Sequence, residues 1–140
     1  MIAGRNVILR LALAVAALVT VACAAHSGVV RGYVSAPAGI SEPVAFTVDS
    51  IDFRKDLTRV YGKLTGEPHT SNRIDDAMLY TPSGNYEATD IDGVDFRRYF
   101  QWEDEGVILL EIDFPRAKSP SAIGFTTVRG KARINIAPAP

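Results

Sequence analysis

Apolar and polar residues alternate in short runs from Val44 onward, and this pattern restricts the fold more than any other feature of the chain. The clearest run places Ile108, Leu110, Ile112 and Phe114 on one face. Every second side chain of a β-strand lies on the same side, so each run predicts a half-buried strand. No segment after Gly28 sustains a helical period. The predicted strands lie at 44–49, 57–64, 94–102, 108–114 and 132–136.

Residues typical of turns separate these runs. Residues 82–85 (Pro-Ser-Gly-Asn) and 103–106 (Glu-Asp-Glu-Gly) favour connections between neighbouring antiparallel strands. The spacing of the turns predicts roughly eight short strands and an all-β fold, either a sandwich or a barrel. We interpret residues 137–140 as a frayed end.

The beginning of the chain has a different character. Arg5 and Arg10 are the only charged residues before Cys23, and residues 11–21 form a largely apolar run of 11 residues. That length fits the apolar region of an export signal and is short of the roughly 20 residues that span a bilayer. Three interpretations are open: a lipoprotein signal ending at Cys23, signal cleavage after Ala24 or Ala25, and a buried helix with an inert cysteine. We favour the first.

The segment from Val19 to Cys23 resembles the lipobox of bacterial lipoproteins, in which small residues precede a cysteine that becomes lipidated. Ala22 matches the small residue before the cysteine, whereas Thr20 stands where leucine is usual. The resemblance implies lipidation of Cys23. It also implies a signal peptide over 1–22, and it covers only residues 1–25. The pattern of the chain that follows predicts a tether over 23–28 and a β-sandwich domain over 29–137.

The order of features in the body resembles small bacterial extracytoplasmic immunoglobulin-like domains of unknown function. The matching features are a strand at 57–61, a second at 77–80, a glycine-containing hairpin at Ser83-Gly84, and a strand ending in Phe114-Pro115 before a closing hairpin. The resemblance implies an immunoglobulin-like antiparallel β-sandwich of seven or eight strands. It implies nothing about catalysis.

Net charge argues against a nucleic-acid partner. The part of the chain that follows Cys23 has 13 basic and 16 acidic side chains, which leaves a charge near −3. A mildly acidic body provides no long-range attraction for a phosphate backbone.

Asp90, Asp92 and Asp95 form the densest group of carboxylates and represent a candidate calcium site, because calcium prefers several oxygen ligands on a turning backbone. The EF-hand pattern fails, since Gln101 occupies the position that needs a glutamate. The alternative, which we favour, is a solvated acidic turn. No other cofactor is expected.

Residues 69–75 contain a histidine, hydroxyl groups and a carboxylate, which would permit a small hydrolase centred on His69. Groups so close along one loop rarely reach the geometry of a nucleophile and its base, so we favour a structural loop. The domain has no second histidine or cysteine to complete a typical structural zinc site.

Tyr99 and Arg97 belong to the one segment rich in both aromatic and basic residues. Together with His69 and Arg73 they form a candidate binding surface, because tyrosine and arginine dominate interface hot spots. We assign Phe100 and Trp102 to the core.

These observations predict a non-enzymatic protein of the bacterial cell envelope, at the outer membrane or the periplasmic face. A lipid anchor would attach it to the membrane, and it would bind an envelope protein or a glycan. The alternatives are a calcium-binding extracytoplasmic module and a small hydrolase.

Overall fold

The structure, a computed structural model, describes residues 29–35 and 44–140; the predicted signal peptide, Cys23 and the predicted tether lie outside them. The described residues form ten β-strands, all paired antiparallel. The strands are β1 (Val29–Ser35), β2 (Ala45–Phe53), β3 (Leu57–Thr65), β4 (Ser71–Thr81), β5 (Gly84–Glu87), β6 (Asp90–Asp92), β7 (Tyr99–Gln101), β8 (Val107–Pro115), β9 (Ala122–Thr127) and β10 (Gly130–Pro138). In this part of the chain, no helix is long and apolar enough to cross a membrane.

The strands form one curled sheet, or half-barrel, in the order β5-β4-β9-β10-β1-β2-β3-β8-β6. The short strand β7 also pairs with β4, along residues 71–73. The segment that joins β5 and β6, the two ends of this order, contacts the strand next to each end. There the backbone N–H of Ala88 donates to the carbonyl oxygen of Ala77 in β4 (2.9 Å), and that of Thr89 donates to Asp113 in β8 (2.7 Å).

The core fills the inside of the curl. Side chains of β2, β3 and β8 alternate between buried and accessible, as single-sided strands do. The rings of Phe46 in β2 and Phe125 in β9 pack edge to face with centroids 5.0 Å apart. β2 and β9 are not neighbours in the sheet, because β10 and β1 lie between them. The contact between the two rings therefore crosses the interior.

One glycine is required by that packing. Gly62 lies on the buried face of β3, and the Phe46 ring and the carbonyl oxygen of Thr47 occupy the space that a β-carbon would need. A glycine within a strand often marks such a close approach.

The all-β prediction is confirmed. The described residues form ten strands rather than seven or eight, because β5, β6 and β7 have only three or four residues each and are too short to alternate. The predicted strands at 44–49, 57–64, 108–114 and 132–136 lie within or overlap β2, β3, β8 and β10. Of the strand predicted at 94–102, only 99–101 forms, because Arg97 has a positive φ of 62° that extended backbone does not allow.

Two further predictions are wrong. Residues 103–106 join β7 to β8, which do not pair with each other, because β8 pairs with β3 and β6. Residues 137–140 are not a frayed end. Ala137 and Pro138 pair with β1, and the N–H of Ala139 donates to the carbonyl oxygen of Gly32 at 2.7 Å.

Candidate ligand pocket

A pocket of about 700 Å³ opens at one end of the curled sheet. Four separate parts of the chain form it: β1, the turn between β2 and β3, the connection from β8 to β9, and the end of β10. Ligand sites are commonly of this size and form where several elements meet.

Within 29–35 and 44–140, the charged side chains that line this pocket are all basic, with no aspartate or glutamate among them, and we refer to them as the cationic set. The cationic set consists of Arg31, Arg54, Lys55, Arg116 and Lys118.

A buried carboxylate positions one member of this set. Asp52 is 4% exposed and accepts a hydrogen bond from Nε of Arg54 at 2.9 Å. This hydrogen bond raises the pKa of Arg54 above its ordinary value. Because the bond uses Nε, the two Nη groups of Arg54 stay available to a ligand.

Tyr33 and Phe53 form an aromatic wall, with ring centroids 6.1 Å apart. The guanidinium of Arg31 lies 6.0 Å from the centroid of the Phe53 ring. Burial raises the pKa of Tyr33, although Arg31 partly offsets this rise. The hydroxyl therefore stays protonated at neutral pH and can donate a hydrogen bond.

In the connection from β8 to β9, Arg116 and Lys118 lie on either side of Ala117, which is held in place by burial and a hydrogen bond. Between them, Ala117 is buried and its N–H donates to Oγ1 of Thr58 at 2.9 Å. Ser119 follows with a φ of 52°, in the left-handed region that non-glycine residues rarely occupy. The buried anchor leaves the two basic side chains exposed at the rim.

A second cavity, of about 560 Å³, has mixed charge. Asp76 and Glu87 line it together with Lys131 and Arg133. It lacks the single sign of charge that distinguishes the first pocket.

The predicted binding surface is assembled in part. Tyr99 is 64% exposed and lies opposite Arg73 in the pairing of β7 with β4, with the Arg73 guanidinium 5.2 Å from its ring centroid. Arg73 also binds Asp75 at 2.7 Å, and this hydrogen bond raises the pKa of the arginine. Arg97 extends toward Asp76 at 4.0 Å instead.

His69 belongs to the loop before β4, where Nε2 lies 2.8 Å from Asp104. Its neighbour Thr70 donates its hydroxyl to the carbonyl oxygen of Glu67 at 2.7 Å. Within the described residues, the hydrogen bonds include none from a hydroxyl to His69. The hydrolase alternative therefore gains no geometric support.

The candidate calcium ligands do not converge. Asp90 and Asp92 are exposed on β6, opposite Asp113 and Glu111 of β8. Asp95 lies 3.5 Å from Arg98. Over 29–35 and 44–140, no group of three or more potential ligands is arranged to hold a metal ion. Calcium binding stays a prediction.

The assignment of Trp102 to the core is confirmed, since it is 4% exposed. Phe100 is half-buried and packs edge to face on it at 5.1 Å.

Comparison of the chain with known protein families, curated proteins and solved structures finds no match. The inference of function therefore depends on the residues described above.

Sequence reasoning did not identify the pocket. Its basic residues occur singly or in pairs in segments as far apart as Arg31 and Lys118, and no local motif joins them. The pair Arg54-Lys55 beside Phe53, and Arg116 near Lys118, are the only local signals.

Proposed function

We propose that this chain is an exported, lipid-anchored protein of the bacterial cell envelope that acts by binding rather than by catalysis. The support from sequence is the change of character at Cys23, where an apolar leader with two arginines ends in a lipobox-like segment. The support from the fold is a strand-built body whose first described strand begins at Val29, six residues later.

The main observation in favour of a binding role is the position of the pocket. Val29, the first residue of β1, pairs with Phe53, which lines the pocket. The tether therefore joins the body beside the pocket. Because an extended chain advances at most about 3.6 Å per residue, the tether can span at most about 22 Å. A lipid on Cys23 would hold the pocket end close to the membrane.

We also propose a more specific fold than a curled all-β sheet. We regard the curled sheet as a distorted immunoglobulin-like sandwich, whose two layers would be the β4-β9-β10 side and the β2-β3-β8 side. The contact of Phe46 with Phe125 across the interior supports this description, because sandwich layers pack their inner faces together.

The surface formed by Tyr99 and Arg73 gives the same protein a second place to bind a partner, an envelope protein or a glycan. It lies on β7 and the first residues of β4, whereas Ser121 of the pocket lining donates to the carbonyl oxygen of Tyr80 near the end of β4. The location that follows is the outer membrane or the periplasmic face of the envelope.

Metabolic labelling with a fatty-acid analogue tests the anchor. We expect the chain to be labelled and recovered in the membrane fraction, and a Cys23→Ala variant to be unlabelled. If the wild-type chain is instead cleaved and secreted without label, the segment is an ordinary signal peptide and the proposal of a lipid anchor is overturned. An unlabelled chain of full length in the cytosol would overturn the proposal of export.

A further inference from the structure

We propose that the pocket binds a phosphate ester, with the phosphate held by the cationic set and its organic substituent against Tyr33 and Phe53. The phosphate chemistry stands on the pocket alone. Only its source, a lipid headgroup rather than a soluble phosphate ester, rests on the function proposed above.

The distribution of charge is the first reason. The pocket gathers five of the 13 basic side chains that follow Cys23 and none of the 15 acidic side chains that the structure describes. Four of them, all except Arg54, form no ion pair with a carboxylate in the described part of the chain. Cations held together without a partner repel one another, and an anion would relieve that repulsion.

The kind of donor is the second reason. Arginine guanidinium groups bind phosphate oxygens through two parallel N–H bonds, and lysines contribute point charges. Asp52 holds Arg54 in place before any ligand arrives, so less side-chain freedom is lost on binding. The hydroxyl of Tyr33 adds a neutral donor beside this group.

The size and walls of the pocket are the third reason. A volume of about 700 Å³ is far larger than a bare phosphate ion, and part of the wall is apolar. Phe53, Pro120 and Ile136 offer contact to a glycerol or acyl group, whereas an inorganic ion would leave them uncovered. A phosphate ester satisfies both kinds of lining.

An anionic phospholipid is the nearest source of such a group. The tether would bring the pocket to the membrane surface, where electrostatic attraction acts over a screening length of about 8 Å. Clusters of basic residues at this distance recognise anionic headgroups. Phosphatidylglycerol, a phosphate diester of glycerol, has the required chemistry.

A pair of matched charge reversals tests the pocket. The pocket variant is Arg116→Glu combined with Lys118→Glu, two exposed residues of the β8–β9 connection. The control is Lys63→Glu combined with Lys131→Glu, which are also exposed but do not line the pocket. Both variants change the net charge equally, so any difference between them comes from the pocket.

The first measurement is calorimetric titration of the protein, purified from cells in a neutral detergent, with glycerol phosphate. We expect binding that weakens with salt. The pocket variant should bind about tenfold more weakly or worse, because two charged contacts are lost. The control should stay within about twofold of wild type. Absence of binding, or equal weakening in both variants, would overturn the pocket proposal whatever the labelling of Cys23 shows.

The second measurement distinguishes the source. The protein purified in the same way is placed in nanodiscs of phosphatidylcholine with or without phosphatidylglycerol, and amide exchange is followed over residues 116–121. We expect phosphatidylglycerol to slow exchange there in wild type and control but not in the pocket variant. Glycerol phosphate binding without this protection would retain the phosphate site and overturn the lipid source. An unlabelled Cys23 with intact glycerol phosphate binding would overturn the anchor alone.

Discussion

Gly62 is a residue at which the core tolerates little change. The Phe46 ring lies where a β-carbon would be, and the backbone carbonyl of Thr47 prevents an easy shift. We expect Gly62→Ala to lower the free energy of unfolding by about 1–3 kcal/mol, because it overpacks a buried site. Urea unfolding followed by circular dichroism measures this change.

The Phe46→Leu variant is the control for that explanation. In its background the ring no longer fills the space, so Gly62→Ala should cost less than in wild type, with a coupling of at least about 0.5 kcal/mol. An equal cost in both backgrounds would show that the ring is not the cause.

Single residues also explain where the sequence was misleading. Asp75 lies at a register shift between β4 and β9, so the buried positions of β4 change phase there. Asn72 and Ile74 are buried before the shift, and Ala77 and Leu79 are buried after it. A strict alternation cannot cross such a bulge. Residues 71–75, which we interpreted as part of a structural loop, belong to β4.

At the scale of the strand, the end of β10 contributes to the fold through its pairing with β1. Deletion of residues 137–140 removes that pairing and the bond from Ala139 to Gly32. We expect a loss of about 2 kcal/mol in unfolding free energy, because each lost hydrogen bond contributes about 1 kcal/mol.

Deletion of Pro140 alone is the matched control for this truncation. Pro140 is exposed and lies beyond β10, so its loss should change stability by less than about 0.5 kcal/mol. If the two deletions have the same effect in urea unfolding, the last residues are a frayed end after all.

Whether a strand could be predicted depended on how many of its faces are buried. Strands β3 and β8 each bury one face and alternate clearly. In β9, Ala122 to Phe125 are buried on both faces, and Gly124 lies beneath the Tyr80 ring. A strand buried on both sides has no polar face to reveal its period.

At the scale of the whole molecule, the pocket illustrates why the candidate site was not predicted. Arg31, Arg54 and Arg116 come together only because the beginning of β1, the end of β2 and the β8–β9 connection meet at one pocket. The fold class follows from local periodicity, but this convergence depends on the strand order. Pairing between distant strands leaves no mark on the spacing of residues within any one of them.

Closure of the curled sheet is a property of the whole molecule, and the segment between β5 and β6 provides it. Ala88→Pro removes the N–H that binds β4, and Thr89→Pro removes the one that binds β8. We expect each to cost about 1–3 kcal/mol, since it leaves a carbonyl without its donor. Ala88→Ser keeps the donor and should cost less.

Because one core fills the curl, unfolding of each proline variant should remain a single transition. Trp102 fluorescence reports on the loop beside β7, and far-UV circular dichroism reports on all strands, so the two urea curves should coincide and shift together. If the Trp102 curve keeps its wild-type midpoint while part of the dichroism is lost earlier, the two sides of the sheet unfold separately. The segment between β5 and β6 would then only connect the two strands, and the contact across the interior of the curled sheet would depend on the Phe46 and Phe125 rings.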